Sequence, residues 1–81
     1  MQTIARSPGQ LGSLIYHHRQ QRGLTQTQLG AILGMTQKTI SKLENGNPAA
    51  RLDTLFHLLA ALDLELTVVP RSRGKNIGDI F

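Results

Sequence analysis

The sequence predicts a small, mainly helical domain over residues 1–69, followed by a flexible C-terminal tail over 70–81. Two observations predict the helical class. Apolar residues recur at helical spacing in several segments, and capping residues or glycines mark where those segments begin and end. A third observation adds one short strand, because residues 64–69 alternate between apolar and other side chains. We therefore expect four or five helices and one strand around a single core. A chain of 81 residues is long enough for one modest core of this kind.

The first helix is predicted to begin at Pro8, because a proline at the first helical position loses no hydrogen bond. Ser7 stands before it as a suitable N-cap, and Gly23 supplies the C-terminal stop. A second, shorter helix follows Thr25. With Gln28 three residues later, Thr25 completes the T-x-x-Q pattern of a capping box.

Thr36 caps a third helix, which we expect to run to Glu44 and to end at Asn45-Gly46. A fourth helix is predicted over about 52–62. Its apolar surface is wider than one helix face, so we expect this helix to be central and buried on more than one side.

The strand predicted over 64–69 places alternate apolar side chains on one face. A lone strand cannot satisfy its own backbone, and the sequence offers no second strand to pair with it. The strand therefore needs a partner, and pairing with a second copy would add stability to so small a domain.

The second and third helices have the spacing of a helix-turn-helix, in which two short helices cross tightly. The crossing needs a small residue, which Gly30 supplies, and a turn residue that tolerates positive φ, which Gly34 supplies. The exposed face of the third helix is predicted to carry Gln37, Lys38, Ser41 and Lys42. These side chains form hydrogen bonds and none is acidic, as a surface facing phosphates and base edges requires.

Composition narrows the function classes. The formal net charge of +4 favours a polyanionic partner. We expect no metal and no cofactor, because cysteine is absent and the adjacent His17 and His18 point in different directions on a helix. No nucleophile motif, phosphate loop or paired-carboxylate spacing is present, so we expect no enzymatic activity. The N-terminus lacks the apolar region of a signal peptide, which predicts a cytoplasmic protein.

The stretch from Leu14 to Leu62 resembles the lambda/434-repressor (XRE, Cro-like) helix-turn-helix family. The matching residues read G-L-T-Q-T-Q-L-G-A-I-L-G-M-T-Q-K-T-I-S-K-L-E-N-G and then L-D-T-L-F-H-L-L-A-A-L. The closing A-L-D-L-E-L-T-V-V resembles more narrowly the HipB-type antitoxins, in which a strand after the last helix pairs between two subunits. This resemblance implies a two-stranded antiparallel sheet across a homodimer, with the dimerisation residues Leu64, Leu66, Thr67 and Val68.

That resemblance implies contacts to bases from the start of the third helix, and contacts to the DNA backbone from the second helix and from the loop after the third. The DNA-binding residues so implied are Thr25, Gln26, Thr36, Gln37, Lys38, Ser41, Lys42, Asn45 and Asn47. The resemblance also implies a structural ion pair between Arg19 and Glu44. Lys38 departs from the small or amide residues often seen at its position, so the target sequence of a relative does not transfer to this chain.

The resemblance further implies a homodimeric repressor of its own operon, which binds a palindromic double-stranded DNA operator and a HipA-like serine/threonine kinase toxin. Phe81 is expected to bind the toxin, since these antitoxins use a C-terminal aromatic residue in that way. Two alternatives stay open. A phage or restriction–modification type regulator without a toxin partner would be distinguished by its neighbouring genes, and an interaction adaptor that has lost DNA binding by a gel shift.

Overall fold

A computed structural model of the chain describes residues 4–71 and contains four α-helices. Their bounds are Pro8–Gln21 for α1, Gln26–Leu33 for α2, Gln37–Glu44 for α3 and Leu52–Ala61 for α4. The mainly helical fold predicted from the sequence is confirmed. The division between a domain over 1–69 and a tail over 70–81 stays a prediction, because 72–81 lie outside the described residues. Within the described part, no helix is long and apolar enough to cross a membrane.

Local capping explains where the first three helices begin. The Ser7 hydroxyl accepts a hydrogen bond from the Gln10 backbone N–H at 3.1 Å. Thr25 and Gln28 form both hydrogen bonds of a capping box, each side chain accepting from the other residue's backbone N–H. The Thr36 hydroxyl caps α3 by accepting a hydrogen bond from the Thr39 backbone N–H at 3.2 Å. Each cap satisfies a backbone donor that would otherwise lack a helical partner.

Two glycines let backbones approach more closely than any side chain would permit. A Cβ atom built on Gly30 would lie 2.5 Å from the carbonyl oxygen of Met35, in the turn between α2 and α3. A Cβ atom on Gly12 would overlap the carbonyl oxygen of Glu44, so α1 lies directly against the end of α3. The sequence predicted Gly30 as the small residue of the crossing, but it did not predict the close approach at Gly12.

The core lies where the four helices meet. Its buried apolar side chains are Ile15, Leu29, Ile40, Leu43, Leu58, Leu59 and Leu62. α2 packs against both α3 and α4, and α1 packs against α3. Burying a leucine or isoleucine side chain of this kind stabilises a fold by about 1.5–3 kcal/mol. Because Ile40 and Leu43 of α3 belong to this core, the packing holds α3 in a fixed orientation.

The prediction that α4 is buried on more than one side is wrong for the single chain. Leu58 and Leu59 are buried, whereas Leu52 is 71% and Phe56 48% exposed. The other helices cover only one face of α4, so Leu52 and Phe56 face outward while Leu55 is partly buried against the core.

No strand forms within the described residues, including the predicted strand segment 64–69. Leu64 packs against the core, while Leu66 and Val68 are 51% and 90% exposed. A strand is defined by backbone hydrogen bonds to a neighbouring strand, and residues 4–71 of one chain contain no such neighbour. The pairing of two copies through this segment therefore stays a prediction.

Candidate nucleic-acid interface

The turn between α2 and α3 fixes the angle at which α3 is presented. Gly34 ends α2 in the left-handed region at φ +69°, and the Met35 N–H donates to the Gly30 carbonyl at 2.7 Å. α3 then begins immediately after Thr36. Because the turn is short and closed by a hydrogen bond, α3 cannot swing independently of α2.

The nine residues predicted to contact DNA lie on α2, α3 and the loop after α3. Those with exposed side chains are Thr25, Thr36, Gln37, Lys38, Lys42, Asn45 and Asn47, and those that are half-buried are Gln26 and Ser41. The first turn of α3 is thus open to solvent along its outer face. That face carries cationic and hydrogen-bonding side chains, which can bind to base edges and phosphates.

The loop after α3 is shaped by its asparagines. The Asn47 backbone N–H donates to the Lys42 carbonyl at 3.0 Å, and the Asn47 side-chain oxygen accepts from the Ala49 N–H at 3.0 Å. Asn45 caps the C-terminus of α3, and its side-chain nitrogen lies 3.5 Å from the Ser41 hydroxyl. The two loop residues that were predicted to contact DNA, Asn45 and Asn47, are therefore held close to the end of α3.

Arg19 of α1 and Glu44 of α3 form a buried, bidentate ion pair. Arg19 Nε lies 2.5 Å from Glu44 Oε2 and Arg19 Nη2 lies 3.0 Å from Glu44 Oε1, with side chains only 6% and 4% exposed. The hydrogen bonds that Arg19 donates to the Glu44 carboxylate raise the pKa of Arg19 above its ordinary value. The structure brings together the two residues that the resemblance paired, and it turns the acidic residue of α3 inward.

Further contacts hold the Arg19 guanidinium in place. Its Nη1 donates to the Leu24 carbonyl at 2.7 Å. Its central carbon also lies 5.3 Å from the centre of the Tyr16 ring, a distance at which a cation is attracted to an aromatic face. Arg19 thereby joins α1 to the segment that leads into α2.

Two glutamines continue this network to the surface. Gln26 Nε2 donates to Glu44 Oε1 at 3.0 Å, and Gln37 Nε2 donates to Gln26 Oε1 at 2.5 Å. We call the four linked side chains Arg19, Glu44, Gln26 and Gln37 the polar relay. Each of its members was predicted as a site residue, but the two hydrogen bonds through Gln26 were not. A usable signal is present, since glutamine is the first helical residue of both α2 and α3.

The electrostatic character of the α3 surface follows from the relay. Glu44 is the one acidic residue of α3, and it is buried and paired with Arg19. Lys38 and Lys42 remain exposed on the same helix. The outer face of α3 therefore presents positive charge and neutral amide or hydroxyl groups, which suits a polyanion with readable polar edges.

Other predicted site residues lie apart from this surface or outside the description. The dimerisation residues Leu66, Thr67 and Val68 are exposed in the segment after α4, and Phe81 lies outside the described residues. Among residues 4–71, no group of three or more histidine, aspartate or glutamate side chains is arranged to hold a metal ion.

Comparison with known proteins agrees with this geometry. A family model described as "Helix-turn-helix" matches residues 15–69. "Antitoxin HipB" of Escherichia coli (strain K12) is 40% identical over 62 residues, which cover 76% of this chain and 70% of that protein. The solved structure "HipB-O4 20mer complex" is 39% identical with a TM-score of 0.74, and the match covers 85% of this chain and 96% of that chain. "Structure of HipA-HipB-O2-O3 complex" matches with the same identity, coverage and TM-score. The chain therefore belongs to the helix-turn-helix family, in its lambda-repressor-like form, and is a homologue of the HipB antitoxins.

Proposed function

We propose that the protein is a sequence-specific DNA-binding repressor and the antitoxin of a toxin–antitoxin pair. In this proposal it represses its own operon and binds a HipA-like serine/threonine kinase toxin. The observation that carries the DNA-binding part is the exposed, acid-free face of α3, whose single carboxylate is buried against Arg19. The HipB relatives, one of them solved in a complex named with HipA, support the antitoxin part.

In the proposed complex, α3 lies in the major groove of the operator. Gln37, Lys38 and Ser41 then face base edges, since they lie in the first turns of the recognition helix, which point into the groove. An amide such as that of Gln37 can bond to adenine through both its oxygen and its nitrogen, and a lysine can reach guanine. These contacts would supply sequence preference.

The remaining predicted DNA contacts fix the position of the protein on the duplex. Thr25, Gln26 and Thr36 lie at or beside helix N-termini, where backbone N–H groups and the helix dipole favour a phosphate. Lys42, Asn45 and Asn47 form the other edge of the same surface. Such contacts add affinity that falls with salt and carries little sequence information.

Two copies would bind a palindromic operator. We propose that residues 64–69 of each copy pair as an antiparallel two-stranded sheet across the two-fold axis. The exposure of Leu66 and Val68 supports this, because both apolar side chains would leave water on pairing. The two α3 helices would then enter successive major grooves about 34–36 Å apart.

A binding titration with the full-length protein tests the DNA-binding proposal. The probe is a fluorescent duplex from the promoter upstream of the protein's own gene, and the control is a duplex of the same length and composition in scrambled order. We expect the promoter duplex to bind at least about 1,000-fold more tightly at physiological salt, the lower end for specific DNA binding. Gln37→Ala should remove about 1–3 kcal/mol from promoter binding and relax one base position. Equal affinity of the wild type for both duplexes would refute the proposal.

A further inference from the structure

A groove lies between α1 and the segment that follows α4. Its volume is about 710 Å³, within the range of pockets that bind small ligands. One wall carries apolar side chains of α1, including Leu11 and Leu14, and the other carries side chains of 64–71, including Leu66 and Val68. Because Leu66 and Val68 are exposed, residues 4–71 alone leave an apolar wall open to water. We call this cleft the α1 groove.

The α1 groove also carries charged side chains. Arg6, His18 and Arg71 line it, and Glu65 is the one acidic residue among its lining residues within 4–71. Two arginines against one carboxylate leave this lining with a positive balance. An occupant that matches the groove should therefore combine apolar side chains with a negative charge.

The chain itself carries such a sequence shortly after the groove. Residues 72–81 lie outside the described part of the structure, and within them 77–81 read I-G-D-I-F, with apolar side chains on both sides of Asp79. Arg71, the last described residue, lines the groove. Residues 72–76 can span up to about 17 Å when extended, whereas Leu11 and His18 are about 10 Å apart along α1. The linker is therefore long enough for 77–81 to return to the groove.

We infer that residues 77–81 dock into the α1 groove of their own chain, with the isoleucines and Phe81 against its apolar walls and Asp79 toward Arg6 or Arg71. A short linker gives the tail an effective concentration of about 1 mM at the groove, so a contact with a Kd of only about 0.1 mM keeps about nine-tenths of the tails docked. Pairing of 64–69 with a second copy can occur at the same time, because a strand pairs through its backbone edge and the groove is lined by side chains.

Docking of the tail would also regulate the toxin contact, a consequence that rests on the proposed function. The side chains of 77–81 cannot fill the α1 groove and a pocket on the toxin at once. If about one-tenth of the tails are undocked, the apparent affinity for the toxin is about tenfold lower than that of a released tail. The groove would then hold the toxin anchor until the toxin is present.

Tryptophan fluorescence of a full-length Phe81→Trp variant tests the docking without the toxin. The sequence contains no tryptophan, so the new indole is the only one. Leu14→Glu, added to this variant, puts a carboxylate into the apolar wall, and Arg6→Glu reverses an exposed charge at the groove. Because Arg6 precedes α1 and is exposed, its variant keeps the test valid should Leu14→Glu fail to fold. Arg22→Glu is the matched control, at the other end of α1 and outside the groove.

We expect the indole of Phe81→Trp to emit at shorter wavelength, and to be quenched less by acrylamide, than in either groove variant. Arg22→Glu and dilution should leave the emission unchanged, because the contact lies within one chain. Emission of a fully hydrated indole, unmoved by both groove substitutions, would overturn the inference. Shielding that is lost on dilution would mean that the tail docks on a second copy, which would overturn it too.

A titration against the kinase tests the regulatory consequence separately. With Phe81 retained, Arg6→Glu should bind the kinase about tenfold more tightly than the wild type, because its tail is released. A kinase that binds neither protein would refute the proposed toxin partner, whereas the fluorescence result alone decides whether the tail docks.

Discussion

At the scale of single residues, the Arg19–Glu44 pair decides how α3 is held. Glu44 accepts hydrogen bonds from Arg19 and Gln26, and Arg19 also donates to the Leu24 carbonyl. Within residues 4–71, every buried side-chain nitrogen and oxygen has a hydrogen-bond partner. Taking two charges out of water is costly, and this cost offsets the attraction within the pair. Removing only one partner is strongly destabilising, because the other charge then stays buried without its partner.

A double-mutant cycle with Arg19→Met and Glu44→Gln should therefore show strong coupling. We expect each single substitution to lower the free energy of unfolding by about 3–5 kcal/mol, because each leaves the other group buried without its partner. The double variant should lose much less than the sum of the two. Chemical denaturation followed by circular dichroism measures these values.

The exposed pair of Arg51 and Asp53 is the matched control for that cycle. It is also bidentate, with distances of 2.9 and 3.0 Å, but its side chains are 79% and 56% exposed. Water and salt screen such a pair, so the cycle of Arg51→Met with Asp53→Asn should show negligible coupling. Equally weak coupling in both cycles would contradict the structural role assigned to Arg19 and Glu44.

At the scale of helices, capping could be predicted from the sequence because it is local. Thr25 and Gln28 are three residues apart, and their mutual hydrogen bonds require only the start of one helix. The left-handed conformation at Gly34 is likewise a property of the turn itself. The beginnings of α1, α2 and α3 follow from such signals.

The features that could not be predicted depend on residues far apart in the chain. Gly12 meets the carbonyl of Glu44, and the sequence does not specify which helix end a glycine in α1 will touch. The family resemblance implied that Gln26 contacts the DNA backbone, but not its hydrogen bond to Glu44, which joins residues 18 positions apart. The wide apolar surface of α4 predicted that this helix is buried, but not whether the same chain or a second copy covers it. In the single chain, Phe56 remains 48% exposed.

The close approach of α1 to α3 predicts a sharp difference between two glycines of the same helix. In Gly12→Ala the new methyl group would overlap the backbone carbonyl of Glu44, which belongs to a helix end and cannot rotate away. We expect a loss of about 1–3 kcal/mol in stability, as for other overpacked sites, and weaker operator binding because α3 must shift.

Gly9→Ala is the control for this substitution. A Cβ atom at Gly9 would have only the Ser7 hydroxyl within 4 Å, at 3.9 Å. Alanine also favours the helix over glycine, so this variant should be neutral or slightly more stable. Thermal unfolding of both variants makes the comparison, and equal melting temperatures would show that the helices can separate at no cost.

At the scale of the whole molecule, the single chain leaves apolar surface that a second copy could cover. The segment after α4 exposes three apolar side chains, which are Leu66 at 51%, Val68 at 90% and Val69 at 69%. A domain of this size buries a modest core, and association is a common additional source of stability. A two-fold dimer would also bind both halves of a palindromic site at once, which one copy cannot do.

The proposed dimer predicts that Leu66→Asp gives monomers. A carboxylate on the apolar face of the shared sheet would be buried without a partner, at a cost that the two short strands cannot offset. Thr67→Pro is the companion variant, because proline removes a backbone donor from the ladder. We expect at least one of the two to abolish both dimers and tight operator binding.

Ile32→Asp is the matched control for the dimer test, since Ile32 is a 63% exposed apolar residue on α2, outside 64–69. Static light scattering at micromolar concentration gives the masses of all three variants. Dimers of Ile32→Asp alongside monomers of Leu66→Asp would agree with the shared sheet. Intact dimers for both Leu66→Asp and Thr67→Pro would exclude it.

The C-terminal tail predicted over 70–81 is the segment that we propose for binding the toxin. Residues 70–76 are polar and basic, and the sequence then carries Ile77, Ile80 and Phe81. We propose that this group is an anchor for a pocket on the toxin, with Phe81 as the principal contact. A buried aromatic side chain is a common binding hot spot, at about 2 kcal/mol or more on truncation.

Deleting residues 77–81 should therefore separate the two proposed activities, operator binding and toxin binding. Operator affinity and dimerisation should be unchanged, because the proposed contacts for both lie within 25–69. Toxin binding should weaken about tenfold or more, the factor that about 1.4 kcal/mol corresponds to. Isothermal titration calorimetry of the dimer against the purified kinase measures this, with Phe81→Ala expected to reproduce most of the loss and Asp79→Asn to cause none. An unaltered affinity after the deletion would show that the toxin is bound by another surface. Ordering the linker costs conformational entropy, so a tail that made no contact would not strengthen the complex.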